Sequence, residues 1–327
     1  MFNRKEAIRL MAAACLAVPA IASHAQTAYP DKAIKMVVPY PAGGLLDGVA
    51  RILAPRLRET MGQAIVIDNK GGGSGVIGTD QVAKSKADGY TLLFGGFGPN
   101  AVNASILASV PYDAAKDFSP VVEVFRTDHI LVVGNSVAAN TLSELTELAR
   151  DPKTKLTVAT AGTGSATHLF AELYRLAADV QLNVIPYRGD APAITAMLGG
   201  EVQAYFASAI SILPYLKAGR LKALAVTGKE RLESLPNVPT LAQAGLPKYE
   251  ATAWYGLYAP AGTPAAVIET LNKHVNAALQ QAEVRKFLLS EGGVTIVGGS
   301  PEALQQKTNA EIAKWRAVVE SAKLRTP

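Results

Sequence analysis

Ser165, Thr167 and His168 stand just after two glycines in the stretch ATAGTGSATHLF, a cluster of polar side chains on a short turn. Their types and spacing suit holding an anion better than making or breaking a bond. Residues 156–160 (LTVAT) are rich in β-branched side chains and predict a strand. Ala161-Gly162-Thr163-Gly164 follows as a turn, and Ser165 is a good N-cap. Leu169, Leu173, Leu176 and Ala177 then fall on one face of a helix. The first N–H groups of such a helix have no intrahelical partner and lie at the positive end of its dipole. With the hydroxyls of Thr163, Ser165 and Thr167 beside them, they form a mouth for an anion that needs no lysine. His168 is open to three readings: a cap, a ligand contact, or a packed polar residue. The whole stretch also has a plainer reading, an ordinary α/β turn, and nothing within it separates the two.

A second copy of the layout favours the binding reading. Residues 33–38 (AIKMVV) predict a strand, Pro39-Tyr40-Pro41-Ala42-Gly43-Gly44 a turn, and Leu46, Val49, Ala50, Leu53 and Leu57 a helix beginning near Leu45 and Asp47. Ligands of open α/β sheets bind outside the carboxyl ends of strands. Two such mouths facing each other make a cleft between two domains. Residues 90–94 predict another strand, and Gly95-Gly96-Phe97-Gly98 after it is expected to join the cleft. Phe97 is either a cover for the ligand or a packed aromatic.

Several chemistries are excluded. Gly73, Gly75 and Gly78 match G-x-G-x-x-G, but the next strand ends in glycines where a dinucleotide site needs an acid, so no cofactor is expected. After residue 25 the histidines are His129, His168 and His274, without metal-binding spacing. No G-x-S-x-G elbow is present, and no paired carboxylates lie at a glycine loop. Donors without acid, base or metal argue for binding without catalysis.

Length and composition agree. Arg4, Lys5 and Arg9, an apolar run from 10 to 21, and Ser23-His24-Ala25 read as a secretory signal peptide cleaved after Ala25. Cys15 is the single cysteine and lies within it, so the exported chain has no disulfide, which suits a bacterial periplasm. Residues 1–25 hold three basic residues and one acidic, leaving 29 Lys and Arg against 26 Asp and Glu. A net charge of +3 without a basic cluster leaves no nucleic-acid footprint.

The remaining 300 or so residues suffice for two domains. Strands near 121–125 and 130–133 flank Arg126-Thr127-Asp128, the expected first crossing, and residues 254–258 are the expected return. One lobe then comprises residues 26–125 and 253–327, with the other, 126–252, inserted. Thr141 and Glu144 form a capping box. Thr263-Pro264 and Ser300-Pro301 read as N-cap plus proline at N1, and the C-terminal helices are expected to pack on the first lobe. Pro55 is expected to kink the first helix.

The chain resembles the Bug family, the extracytoplasmic solute-binding proteins of tripartite tricarboxylate transporters. The resemblance rests on Pro39 to Gly44, Asp47, Asp88-Gly89-Tyr90-Thr91-Leu92-Leu93, Pro111-Tyr112-Asp113, Asp117-Phe118, Pro186-Tyr187-Arg188-Gly189, Leu198-Gly199-Gly200, Lys217-Ala218-Gly219-Arg220 and Ala259-Pro260-Ala261-Gly262-Thr263-Pro264, in order. It implies a type II periplasmic-binding fold: two doubly wound α/β lobes joined by two crossing segments, with a ligand cleft between them. It also implies a monomer that takes a small organic carboxylate and passes it to membrane permease subunits; a ligand sensor for a two-component system is the alternative. Its binding loops fall on residues 40–47 and 161–168, with Arg188, Ala207 and Ser208 nearby. The chain departs from the family pattern in three places. Leu45-Leu46 replace a polar pair, Ala207 replaces an aspartate, and Asp190 replaces a small or hydroxyl residue. The first two imply a more apolar pocket, suited to a carboxylate with an apolar body rather than to citrate or an amino acid.

Overall fold

The structure is a computed structural model that describes residues 29–151, 153–290 and 293–325. The expected signal peptide lies outside these residues. In chain order the first part holds β1 (Ile34–Val38), α1 (Leu45–Met61), β2 (Ile65–Asn69), α2 (Val76–Ala83), β3 (Thr91–Gly96), α3 (Asn103–Ile106) and β4 (Phe118–Thr127). The middle holds β5 (His129–Gly134), α4 (Leu142–Arg150), β6 (Thr157–Thr160), α5 (Ala166–Ala178), β7 (Asn183–Pro186), α6 (Asp190–Leu198), β8 (Ala204–Ser208), α7 (Ala209–Lys217) and β9 (Leu221–Val226). The last part holds β10 (Ala253–Pro260), α8 (Ala265–Leu279), α9 (Ala282–Ser290), β11 (Val294–Gly298) and α10 (Pro301–Ala322).

These strands form two sheets, ordered β11-β4-β10-β3-β1-β2 and β7-β6-β8-β5-β9. Each carries a parallel section. β1 pairs in parallel with β2 on one side and β3 on the other, and β6 does the same with β7 and β8. In both sheets the chain therefore leaves a strand toward one neighbour and returns on its far side. That reversal is a topological switch point, where the helices on either side of the sheet splay and open a crevice at the strands' carboxyl ends. The loops after β1 and β6 are the two glycine loops.

The antiparallel strands carry the chain between sheets. β4 ends at Thr127 in the first sheet, and β5 begins at His129 in the second. β10 brings the chain back beside β4 and β3. α10 packs on the first sheet, where Lys307 Nζ lies 2.8 Å from Glu123 Oε1 and the Tyr258 and Thr308 hydroxyls are 2.8 Å apart. It does more than the sequence suggested, because Trp315 also reaches the second lobe. Its ring stacks on Phe170 of α5 at 5.7 Å and meets Phe97 edge-on at 5.2 Å. Trp315 and Phe170 have no exposed surface, and one continuous apolar cluster runs through both lobes.

Local signals place most helix starts. Thr141 accepts from Glu144 N–H at 3.2 Å, and Ser300 accepts from Ala303 N–H at 3.2 Å. Thr263 differs, since α8 begins one residue late with Pro264 in the cap position. The Thr263 hydroxyl instead donates to Pro260 O at 2.7 Å, closing the turn after β10. Pro55 stands within α1, which continues as one helix to Met61.

The Gly95-Gly96 pair proves to be a packing device within β3. Asn100 accepts from Gly96 N–H at 2.8 Å, and a Cβ on Gly96 (φ +152°) would stand 2.1 Å from Trp254 O in β10. Gly96→Ala should destabilise the protein by about 2–5 kcal/mol, the sum of a strained backbone and an overpacked contact. Denaturant unfolding measures it, and a loss below about 0.5 kcal/mol would show that β3 and β10 are not held this close.

Candidate ligand cleft

The two glycine loops line adjoining cavities that share the ring of Tyr255. One, of about 350 Å³, is lined by Tyr40, Phe97 and Gly98 from the first lobe and by Ala161 to Ala166 from the second. A second, of about 520 Å³, is lined by the loop from Tyr40 to Asp47. A third, of about 370 Å³, brings Leu45 together with Ser165, Thr167, Asp190 and Ser208. Residues from both lobes thus meet across one crevice.

Each loop is held by its own side chains. Asp47, buried in α1, accepts from Gly43 N–H at 2.9 Å and from Arg51 Nε at 3.0 Å. The Arg51 and Gly43 hydrogen bonds hold its carboxyl below the ordinary carboxylate range. Asn69 ties in the same arginine at 3.3 Å and donates to Tyr40 O at 3.3 Å. Asp47 is therefore a brace for the loop. The N-cap of α1 is Gly44, which offers no side-chain acceptor to the helix's first N–H groups. Gly44, Leu45 and Leu46 at this helix start line the second cavity.

The second loop is more fully wired. Thr167 Oγ1 accepts from Ala161 N–H at 2.8 Å, and Ser165 Oγ accepts from His168 N–H at 3.3 Å. The two hydroxyls lie 2.9 Å apart, and either can donate to the other. One hydroxyl proton of the pair is used between them. Gly164 turns with φ +77°, a left-handed conformation that favours glycine, and a Cβ there would lie 2.6 Å from Ile106 Cδ1 of the first lobe. His168 Nδ1 accepts from Gly164 N–H at 3.0 Å. Burial lowers its pKa, partly offset by Glu172, which keeps it a neutral acceptor. Of its three readings the structure supports the packed polar residue.

Some expected residues lie elsewhere. Ala207 is fully buried in the core of the second sheet, because successive residues of β8 face opposite sides and Ser208 takes the cleft side. Gly96 is sealed between β3 and β10. Arg188 is exposed and lines none of the three cavities. Phe97 is 5% exposed and combines both of its readings, packing on Phe170 and Trp315 while edging the crevice. Leu46 packs mainly in the core with Val49 and Leu53, and Leu45 faces the cavities.

The sequence did not reveal Tyr255. It stacks on Phe125 at 4.8 Å, and burial pushes its pKa up to about 12, so it stays a hydroxyl donor. Burial raises Tyr40 as well. Thr127 and His129 from the first crossing face the crevice, whereas Asp128 between them faces a separate cavity of mixed charge behind it. Among the described residues no three His, Cys, Asp or Glu side chains are grouped to hold a metal ion.

Comparison with known proteins agrees with this geometry. Residues 49–324 match the family described as tripartite tricarboxylate transporter family receptor. Protein BugT of Bordetella pertussis is 37% identical over 292 residues, covering 89% of each chain. The chain belongs to the Bug family of these receptors. Solved Bug-family structures share its two-lobed fold. Rpa4515 of R. palustris with adipate is 36% identical, with a TM-score of 0.75 over 90% of this chain and 98% of its own. MatC of Rhodopseudomonas palustris with bound malate is 32% identical, with a TM-score of 0.72 over 89% of this chain and 100% of its own. The family is one of solute-binding receptors.

The first crossing of this Bug-family chain carries two oppositely shifted groups. Burial lowers the His129 pKa to about 4, against the opposing effect of Asp190. Burial raises Asp128 to about 6, partly offset by Arg126 and Lys307. His129 is protonated in the unfolded chain below about pH 6.5. Its stabilising contribution is present above that pH and lost as pH falls toward 4. Asp128 contributes fully below its unfolded value of about 3.9, and loses that contribution as pH rises through 6. The two slopes oppose, each at most about 1.4 kcal/mol per pH unit. Asp128→Asn should steepen the loss of stability from pH 6.5 to 4, and His129→Gln should make stability rise over the same interval. Denaturation midpoints decide; profiles parallel to the unsubstituted protein in both variants would contradict it.

Proposed function

We propose that this protein is a periplasmic receptor that captures a small organic carboxylate between its lobes and delivers it, as a monomer, to the permease subunits of a tripartite tricarboxylate transporter. The observation that carries the reading is the meeting of two helix starts across one crevice. The uncapped start of α1 and the Ser165–Thr167 start of α5 supply N–H and O–H donors, and none of the cavity-lining residues is a lysine or arginine. Donors of this kind suit an anion more than a cation. The adipate and malate complexes of the two R. palustris relatives support a carboxylate as the anion. Export through the signal peptide and a role without catalysis complete the reading.

The walls favour a ligand with an apolar body. Leu45, Ile106, Leu107 and Ile210 line the crevice, and each Å² of apolar surface covered contributes about 25 cal/mol. Citrate would leave extra carboxylates without donors, at a desolvation cost of several kcal/mol each. We therefore expect hexanoate or benzoate to bind more tightly than citrate or aspartate in calorimetric titration. Ser165→Ala should weaken the carboxylate by about 1–2 kcal/mol, the loss of a hydrogen bond to a charged group. Citrate or aspartate as the tightest ligand would overturn the ligand class. Unchanged affinity in both Ser165→Ala and Thr167→Ala would remove the α5 loop from the site.

A further inference from the structure

The crevice has a second pole, of the wrong sign for a carboxylate. Asp190, the first residue of α6, lines the same cavity as Leu45, Ser165 and Thr167. Its Oδ1 accepts from the hydroxyl of Tyr205, and its Oδ2 accepts from Ser211 Oγ at 3.1 Å. Both partners are neutral. A carboxylate offers about four acceptor positions, so two remain. Asp47, the other acid of the crevice, is ion-paired to Arg51 at 3.0 Å, whereas Asp190, among the described residues, makes no ion pair.

The groups around Asp190 do not neutralise it. His129 faces the same cavity and is kept neutral by burial. Its Nδ1 is buried without a hydrogen-bond partner. Ser208 caps α7 without spending its side chain on the helix. The remaining acceptor positions of Asp190 are matched by a ligand group that donates hydrogen bonds, and a positive charge on that group would also satisfy the carboxylate.

We propose that Asp190 selects ligands carrying an ammonium group at the end remote from the carboxylate: ω-amino carboxylates with an apolar chain between. The proposal rests on carboxylate capture at the two helix starts and adds the far-end requirement. An ω-ammonium places a donor and a charge against Asp190, a terminal methyl leaves its free acceptors unmatched, and a second carboxylate meets like charge in a partly desolvated cavity. Like charges brought together in this way oppose binding.

The test is calorimetric titration of the full exported protein with three matched series: 4-aminobutanoate, 5-aminopentanoate and 6-aminohexanoate; butanoate, pentanoate and hexanoate; and succinate, glutarate and adipate. In at least one chain length the amino compound should bind about tenfold or more tightly than the dicarboxylate, with the methyl-ended acid between. Asp190→Asn should shrink that ratio at least about tenfold. The ranking in the unsubstituted protein is a test even if the variant does not fold. A dicarboxylate that binds as tightly as its amino counterpart at every length, or a ratio unchanged in Asp190→Asn, overturns the role of Asp190 while carboxylate capture stands. No binding by any of the nine compounds overturns both.

Discussion

An α-helix cannot satisfy its own first N–H groups, and the organisation of this protein follows from where two such helix starts are put. Both follow the strand at which their sheet changes direction, β1 in one sheet and β6 in the other. There the neighbouring helices splay, so the N–H groups open into a crevice. The remaining parts hold the loops in that exposed state. Asp47, Arg51 and Asn69 brace one, and Ser165, Thr167 and His168 brace the other. Positive potential is thereby supplied by fixed dipoles, which bring no long flexible side chain that must be ordered on binding.

The lobes are joined by more than two strands. Tyr255 on the returning strand touches all three cavities, and Trp315 of α10 is stacked on Phe170 of the other lobe. The aromatic cluster of Phe97, Phe170 and Trp315 begins at the crevice and continues into the shared core. Any movement of one lobe against the other must slide or pivot about this cluster, because breaking it would expose three large rings. The first crossing adds a further constraint, with Thr127 and His129 facing the ligand side and Asp128 the back.

Much of this was legible in the sequence, and the gaps have physical causes. The strand–glycine–helix layout is local, so residues 39–47 and 161–168 could be read directly. The short β-branched runs on either side of residues 126–128 were likewise visible. Tyr255 and His129 were not, because their places depend on which neighbours their strands find, not on local pattern. Period-two alternation shows that only one of Ala207 and Ser208 can face the cleft, but not which one. Gly96 was mistaken for a loop glycine, since the sequence does not show that Asn100 and Trp254 close over it. Asp190 stood out only as a departure from a family pattern, and its contacts with Tyr205 and Ser211 depend on how β8 and α7 assemble around it.

The central claim is that a carboxylate is held by backbone donors at the two helix starts. An amide-resolved ¹H–¹⁵N titration of the exported protein with hexanoate tests it most directly. The largest downfield proton shifts are expected at the amides of Leu45, Leu46, Ala166 and Thr167. Shifts confined to the cavity behind the first crossing, around Arg126, Arg231 and Arg285, with those four amides unmoved, would contradict it.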